Sequence, residues 1–253
     1  MKVGLIGAGN MARAMARGWG DPVLCSDSGS GRAAALVAEV GGEALSNVEV
    51  AERADLVILC HKPHQLKAVA SQIGDRAKAV ASVLGATPTV LLQSEYPRAS
   101  IFRLMPNTPV EVRRGVVCYA RSHDVEVDPA LEAQVLERFE RLGTVVTLPE
   151  SQVDAATAAM GVGPAYLALV AEAQVDAAVR HGLPAPLASR LVAETMAGTA
   201  SLLANRNYDT LAVRREVTSP GGSTARGLEA LERGGVRSAF QAAADAVILG
   251  GRR

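Results

Sequence analysis

Aromatic residues are scarce. Phe, Trp and Tyr make up 3% of the 253 residues, too few for the stacking platforms that hold single-stranded nucleic acid. Neither sign of charge is in excess, with 26 Lys and Arg against 26 Asp and Glu. Such a balance offers no basic field to nucleic acid or to an anionic membrane surface. The three cysteines, Cys25, Cys60 and Cys118, are far apart, and each falls in an apolar, strand-like run. They read as buried, reduced thiols of a cytoplasmic protein, not as a disulfide frame or a metal cluster. No apolar run reads as long enough to span a bilayer, no signal peptide precedes the first strand, and no low-complexity segment or solenoid repeat is visible. The expectation is a protein without nucleic-acid, membrane or metal partners. What is plentiful is apolar surface, 49% of residues against 21% charged, enough for one large domain or two modest ones.

The chain opens on Lys2-Val3-Gly4-Leu5-Ile6-Gly7, a short apolar strand ending in glycine. Gly7-Ala8-Gly9-Asn10-Met11-Ala12 follows and runs into a helical pattern to about Trp19. This is G-x-G-x-x-A between strand and helix. Gly7 suits a tight turn, Gly9 lets backbone approach a pyrophosphate, and Ala12 allows close packing of helix on strand. Val23 to Ser26 is a second strand. Asp27 stands after it, where a carboxylate would hold the adenine ribose of NAD. Ser28, Ser30 and Arg32 come next and suit a 2′-phosphate if Asp27 turns away. Both cofactor forms stay open, and Asp27 as a plain turn residue stays open beside them.

Helical patterns at Ala33–Val40 and Glu49–Ala54 alternate with strands at Asp55–Cys60, Ala79–Leu84 and Ala99–Leu104. A helix is expected from Pro63, and another at Pro129–Leu142 between edge strands at Gly115–Ala120 and Thr144–Leu148. This alternation predicts a doubly wound parallel sheet over residues 1–149. His61 and His64 lie three residues apart across Pro63, which is poor ligand geometry with no cysteine or carboxylate cluster to help. Residues 150–253 show only Ala/Leu/Val-rich helical periods, broken at Gly161–Pro164, Gly182–Pro184, Asn205–Asn207 and Ser219. They predict an all-helical second domain whose broad apolar faces suit burial against a second copy.

One stretch of that domain is rich in donors: Val217-Thr218-Ser219-Pro220-Gly221-Gly222-Ser223-Thr224. Ser219 suits an N-cap and Pro220 a first helical turn. Gly221 and Gly222 admit a ligand close to the backbone, and Ser223 and Thr224 add hydroxyls where a helix begins. A small carboxylate would suit this site. A Pro-Gly turn that merely starts a helix is the alternative.

The same stretch, followed by Gly227-Leu228-Glu229-Ala230-Leu231-Glu232, resembles the signature of pyrroline-5-carboxylate reductases. Met105-Pro106-Asn107-Thr108-Pro109 and Lys62-Pro63 extend the resemblance to nearly the whole chain. The resemblance implies reduction of a cyclic imino acid to proline with NAD(P)H, with a slight lean to NADPH. It implies a cofactor held by Gly7, Ala8, Gly9, Asn10, Met11, Ser26, Asp27 and Ser28, with Lys62, Pro63 and Asn107 near the nicotinamide. It implies a substrate carboxylate on Ser219, Gly221, Gly222 and Ser223, with the Thr224 hydroxyl near the imine nitrogen as the catalytic group. It implies an interlocked homodimer, alone or assembled further. Met160 and Val162 depart from the family, which tends to have hydroxyl side chains there. His61 also departs, where a small apolar residue is usual. A reductase of another cyclic imino acid and a non-catalytic dinucleotide-binding protein are the alternatives.

Overall fold

The computed structural model describes residues 1–121 and 127–250. The chain divides into two compact units, Met1–Pro164 and Ala165–Arg253.

The first unit is built on one eight-stranded sheet of order β3-β2-β1-β4-β5-β6-β7-β8. Strands β1 (Val3–Ile6), β2 (Val23–Ser26), β4 (Leu56–Leu59) and β5 (Ala79–Ser82) are buried at every position. That is the mark of parallel strands covered on both faces. Alternate side chains feed two cores, with Leu5, Ile58, Phe102 and Leu104 in one and Ile6, Val57, Leu59 and Ile101 in the other. Helix α1 (Asn10–Trp19) packs into the first core through Met15 and Trp19. Trp19 Nε1 donates to Arg138 O at 2.8 Å.

The expected parallel sheet holds from β1 through β6 (Ser100–Pro106). It is corrected at β7 (Gly115–Arg121), which pairs antiparallel with β6. The link between them is short and holds only the 3-10 turn Thr108–Val112. A parallel crossover needs about a dozen residues or more, so the chain must turn back. Helix α6 (Pro129–Glu140) supplies such a crossover, and β8 (Gly143–Pro149) lies parallel to β7.

Several other elements depart from expectation. A three-residue edge strand β3 (Gly42–Ala44), wholly exposed, follows α2 (Arg32–Val40) where only a helix end is legible. Helix α3 (Asn47–Arg53) starts two residues early because Ser46 and Glu49 form a reciprocal capping box. Pro63 opens the 3-10 turn Pro63–Gln65, and α4 begins at Leu66 (Leu66–Ile73). Helix α5 (Thr89–Glu95) was not expected.

After β8 the chain passes through α7 (Val153–Ala156) and a π-helical turn, Thr157–Gly161, into α8 (Gly163–Arg180). The second unit holds most of α8 with α9 (Ala185–Ala204), α10 (Thr210–Glu216), α11 (Ser223–Arg233) and α12 (Val236–Gly250). It is helical throughout its described residues, as expected. Tyr166 and Phe240 meet edge to face within it, 6.3 Å between ring centroids.

The expectation of no membrane-length apolar run is corrected. The run Glu150–Arg180 is 31 residues long with mean hydropathy 1.4 in its best window, enough to cross a bilayer by length and composition. Gly161-Val162-Gly163-Pro164 reads as a break, yet the π-turn carries the backbone through it. Such a composition suits a protein interface as well as lipid.

Candidate functional site

The first unit carries a cavity of about 570 Å³ at the carboxyl ends of its central strands. It is lined from the loops after β1 (Gly7 to Met11), β2 (Asp27, Ser28, Ser30, Arg32), β4 (Cys60 to Pro63) and β5 (Val83 to Gly85). Strand β1 lies between β2 and β4, where the winding direction reverses and a crevice opens.

Two glycines shape the cradle. Gly7 has φ +102°, and a Cβ there would lie 2.8 Å from His61 N and 2.9 Å from Cys60 C. Its N–H donates to Ser26 O at 3.0 Å, tying the turn to β2. Gly9 is the N-cap of α1 and offers no side-chain cap, so first-turn N–H groups stay open toward the cavity. A Cβ on Gly9 would meet nothing nearer than Cys60 O at 3.9 Å. Helix start and missing side chains together fit a pyrophosphate.

Asp27 is turned into its own loop. One carboxylate oxygen accepts from Gly29 N at 2.7 Å and Ser30 N at 3.1 Å, the other from Ser30 Oγ at 3.1 Å and Ala33 N at 2.8 Å. The Ala33 N–H at the start of α2, with the other loop donors, holds this carboxyl below the usual carboxylate range. Asp27 thus caps α2 and leaves Ser28, Ser30 and Arg32 beside it on the cavity wall.

His61 Nδ1 lies 2.9 Å from Lys62 O. Its Nε2 is buried without a partner among the described residues. Burial lowers the pKa of the ring.

Ser26 and Asn107 lie outside the lining. Ser26 is buried, and its hydroxyl donates to Asn47 Oδ1 at 2.6 Å. Asn107 spends its amide on its own unit, accepting from Val116 N at 2.8 Å and donating to Met160 O at 3.1 Å. Asn47 does line the cavity. The Ser46–Glu49 spacing announces the cap around it but not its direction. Among the described residues, no group of three or more His, Cys, Asp or Glu side chains is placed to hold a metal.

Ser219 to Thr224 lie in the second unit. Gly221 has φ +68°, and Gly222 N donates to Ser219 O at 3.1 Å. The left-handed turn at Gly221 delays the helix, so Gly222 and not Ser219 is the N-cap of α11, and Ser223 is its first residue. Arg226 Nη1 donates to Gly221 O at 2.7 Å and braces the loop. Ser223 and Thr224 are exposed at the helix start.

The reversed strand order, the glycine turn and the open helix start define a Rossmann-type α/β protein, here joined to a helical unit. Residues 150–252 match the family model described as pyrroline-5-carboxylate reductase dimerisation, and residues 2–86 that of coenzyme F420-dependent NADP oxidoreductase. A pyrroline-5-carboxylate reductase of Synechocystis sp. is 37% identical, over 77% of this chain and 73% of that protein. Pyrroline-5-carboxylate reductase 3 of Macaca fascicularis is 33% identical over 97% of this chain and 93% of its own. The crystal structure of Plasmodium falciparum pyrroline carboxylate reductase with NADP bound superposes at TM-score 0.87 and 26% identity, covering 99% of this chain and 97% of that one. The chain belongs to the pyrroline-5-carboxylate reductase family.

Proposed function

We propose that this protein reduces the cyclic imine 1-pyrroline-5-carboxylate to proline with NAD(P)H. The observation that carries this reading is the Gly7–Gly9 cradle at the switch point, in a chain similar over 97% of its length to a protein named for that reaction. A bound NAD(P)H supplies the hydride. Residues 1–149 hold the cofactor, with the N–H groups of Ala8 to Met11 around the pyrophosphate and Lys62 and Pro63 at the nicotinamide end. Because Asp27 is turned inward, Ser28 and Arg32 stand ready on the cavity wall to take a 2′-phosphate, with Ser30 holding Asp27 aside, which favours NADPH. Ser26 supports the site from behind through Asn47, and Asn107, anchored to Val116 and Met160, stands at the nicotinamide.

Residues 150–253 supply the substrate side and the homodimer, alone or assembled further. Ser219, Gly221, Gly222 and Ser223 present donors to the substrate carboxylate. The Thr224 hydroxyl donates to the imine nitrogen, which ends the reaction protonated. Orientation is the protein's main contribution. The site of action is the cytoplasm. The three free thiols support this.

The test mixes the protein with NADPH or NADH and a panel of cyclic imino acids and follows the absorbance of the reduced cofactor. Turnover of the five-membered ring is expected. Turnover of only a six-membered ring would transfer the assignment to another imine, and binding without turnover would make the protein non-catalytic.

A further inference from the structure

We infer that His61 is a specificity-determining residue for the nicotinamide-side half of the dinucleotide, its Nε2 accepting one hydrogen bond from a donor on that half. This rests on the dinucleotide reading above and adds a residue to it.

Chemistry settles the polarity of the ring. Lys62 O only accepts, so Nδ1, 2.9 Å away, must carry the proton. Burial disfavours a second proton. Nε2 is therefore a bare lone pair, an acceptor. It is closed to solvent and has no donor among the described residues. A buried acceptor left unpaired is costly, and such a cost at a cavity wall points to a partner that arrives with the cavity's occupant. Phosphate oxygens only accept and cannot serve. Ribose hydroxyls and a carboxamide N–H can.

Topology says which half supplies the donor. The loops after β2 and β4 flank the β1 loop on opposite sides. With the pyrophosphate at the Gly9 helix start, the adenosine falls on the Asp27 side. The other half then falls on the β4 side, where His61 lines the cavity. His61 is also held in place, because its backbone N packs against Gly7 at the turn itself.

The experiment measures dissociation constants by fluorescence or calorimetry for wild type, His61→Leu and His61→Gln. The probes are NADPH and ADP, the latter having adenosine and two phosphates but no nicotinamide half. His61→Leu keeps bulk and removes the acceptor, and His61→Gln keeps an acceptor. NADPH binding should weaken about five- to tenfold in His61→Leu. ADP binding should change less than about twofold, and His61→Gln should recover most of the loss. Equal NADPH affinity in wild type and His61→Leu would overturn the inference, as would parallel losses for NADPH and ADP. Wild type that binds neither probe would remove the dinucleotide reading itself, and this inference with it.

Discussion

In the first unit the central strands are buried at every position, and residues as large as Trp19, Tyr96, Phe102 and Phe139 are 1% exposed or less. In the second, among the described residues, only Ala188 and Val213 are buried apolar side chains, while Leu187 and Leu191 are 46% and 49% exposed. The two units have similar apolar supplies and different outlets for them. A doubly wound sheet covers both its faces with helices from its own chain. A handful of helices with broad apolar faces finishes its core against another surface. The match of residues 150–252 to a dimerisation model names the kind of surface.

The largest expected effect breaks that contrast directly. Leu187 and Leu191 sit one turn apart on α9. Burying a leucine is worth roughly 1.5–3 kcal/mol. Replacing both by Asp should cost about 3–6 kcal/mol per pair buried and weaken self-association by a factor on the order of a hundred to ten thousand. Sedimentation at micromolar concentration reads this. An unchanged assembly would mean that α9 faces solvent and that the second unit is open by nature.

The next effect separates chemistry from packing in the open unit. Thr224→Ala removes one exposed hydroxyl at the start of α11, so the fold should persist. Loss of its bond to the substrate should cost about 1.5–3 kcal/mol, roughly ten- to a hundredfold in kcat/KM, with NADPH affinity unchanged. Gly222→Val should instead raise KM, because a Cβ there would lie 2.5 Å from Ser219 Oγ and spoil the loop. Full turnover in Thr224→Ala would leave the stretch as a helix start only.

A matched pair of glycines sharpens the packing side. Gly18 in α1 has no room, since a Cβ would run into Val110 O and meet Leu142. Gly18→Ala should cost about 1–3 kcal/mol and lower Tm by several degrees. Gly227 in α11 has nothing within 4 Å in its own chain, and Gly227→Ala should stabilise by up to about 1 kcal/mol. A Gly227 loss as large as that at Gly18 would show a partner surface pressed on α11. Thermal melts of the two variants decide it.

What was legible in the sequence was what is local. Strand β1, the Gly7 turn and α1 are adjacent in the chain, and their spelling carries their geometry. Helix α5 was not legible because its start is satisfied from far away. Glu150 Oε1 accepts from Thr89 N at 2.7 Å and Oγ1 at 2.8 Å, and from Arg103 Nη1 at 2.6 Å. Strand β3 was not, because three exposed residues have no apolar rhythm. The reversal at β7 depends on the length of a link, not on its composition. In the cavity, an acid after β2 is spelled the same way whether it holds a ribose or caps α2 as Asp27 does. Asn47 and His61 line the site through contacts no spacing encodes.

The smallest effect compares ion pairs in the two units. In the first, Asp21 Oδ2 accepts from Arg138 Nη1 at 2.5 Å and from Arg141 Nη1 at 2.6 Å. Arg138 in turn lies over the Trp19 ring at 4.8 Å. The Arg141 hydrogen bond, with Arg138 and against some burial, holds the Asp21 carboxyl down to about 2. In the second unit, Glu232 and Arg237 pair on the open surface. A folded pKa below the unfolded one adds stability that is complete above the unfolded value of 3.8 and fades as pH falls through the folded value. The Asp21 side chain is 38% exposed, so solvent screening trims its contribution to about 1 kcal/mol. Asp21→Asn should therefore lower stability by about that much at pH 7, and the gap to wild type should close between about pH 4 and pH 2. Glu232→Gln should leave the melt unchanged at both ends of the range. Urea titrations from pH 7 down to about pH 2 read both variants. A gap for Asp21→Asn that does not narrow on acidification would show that the corner is held by the shape of Arg138 on Trp19 and not by its charge.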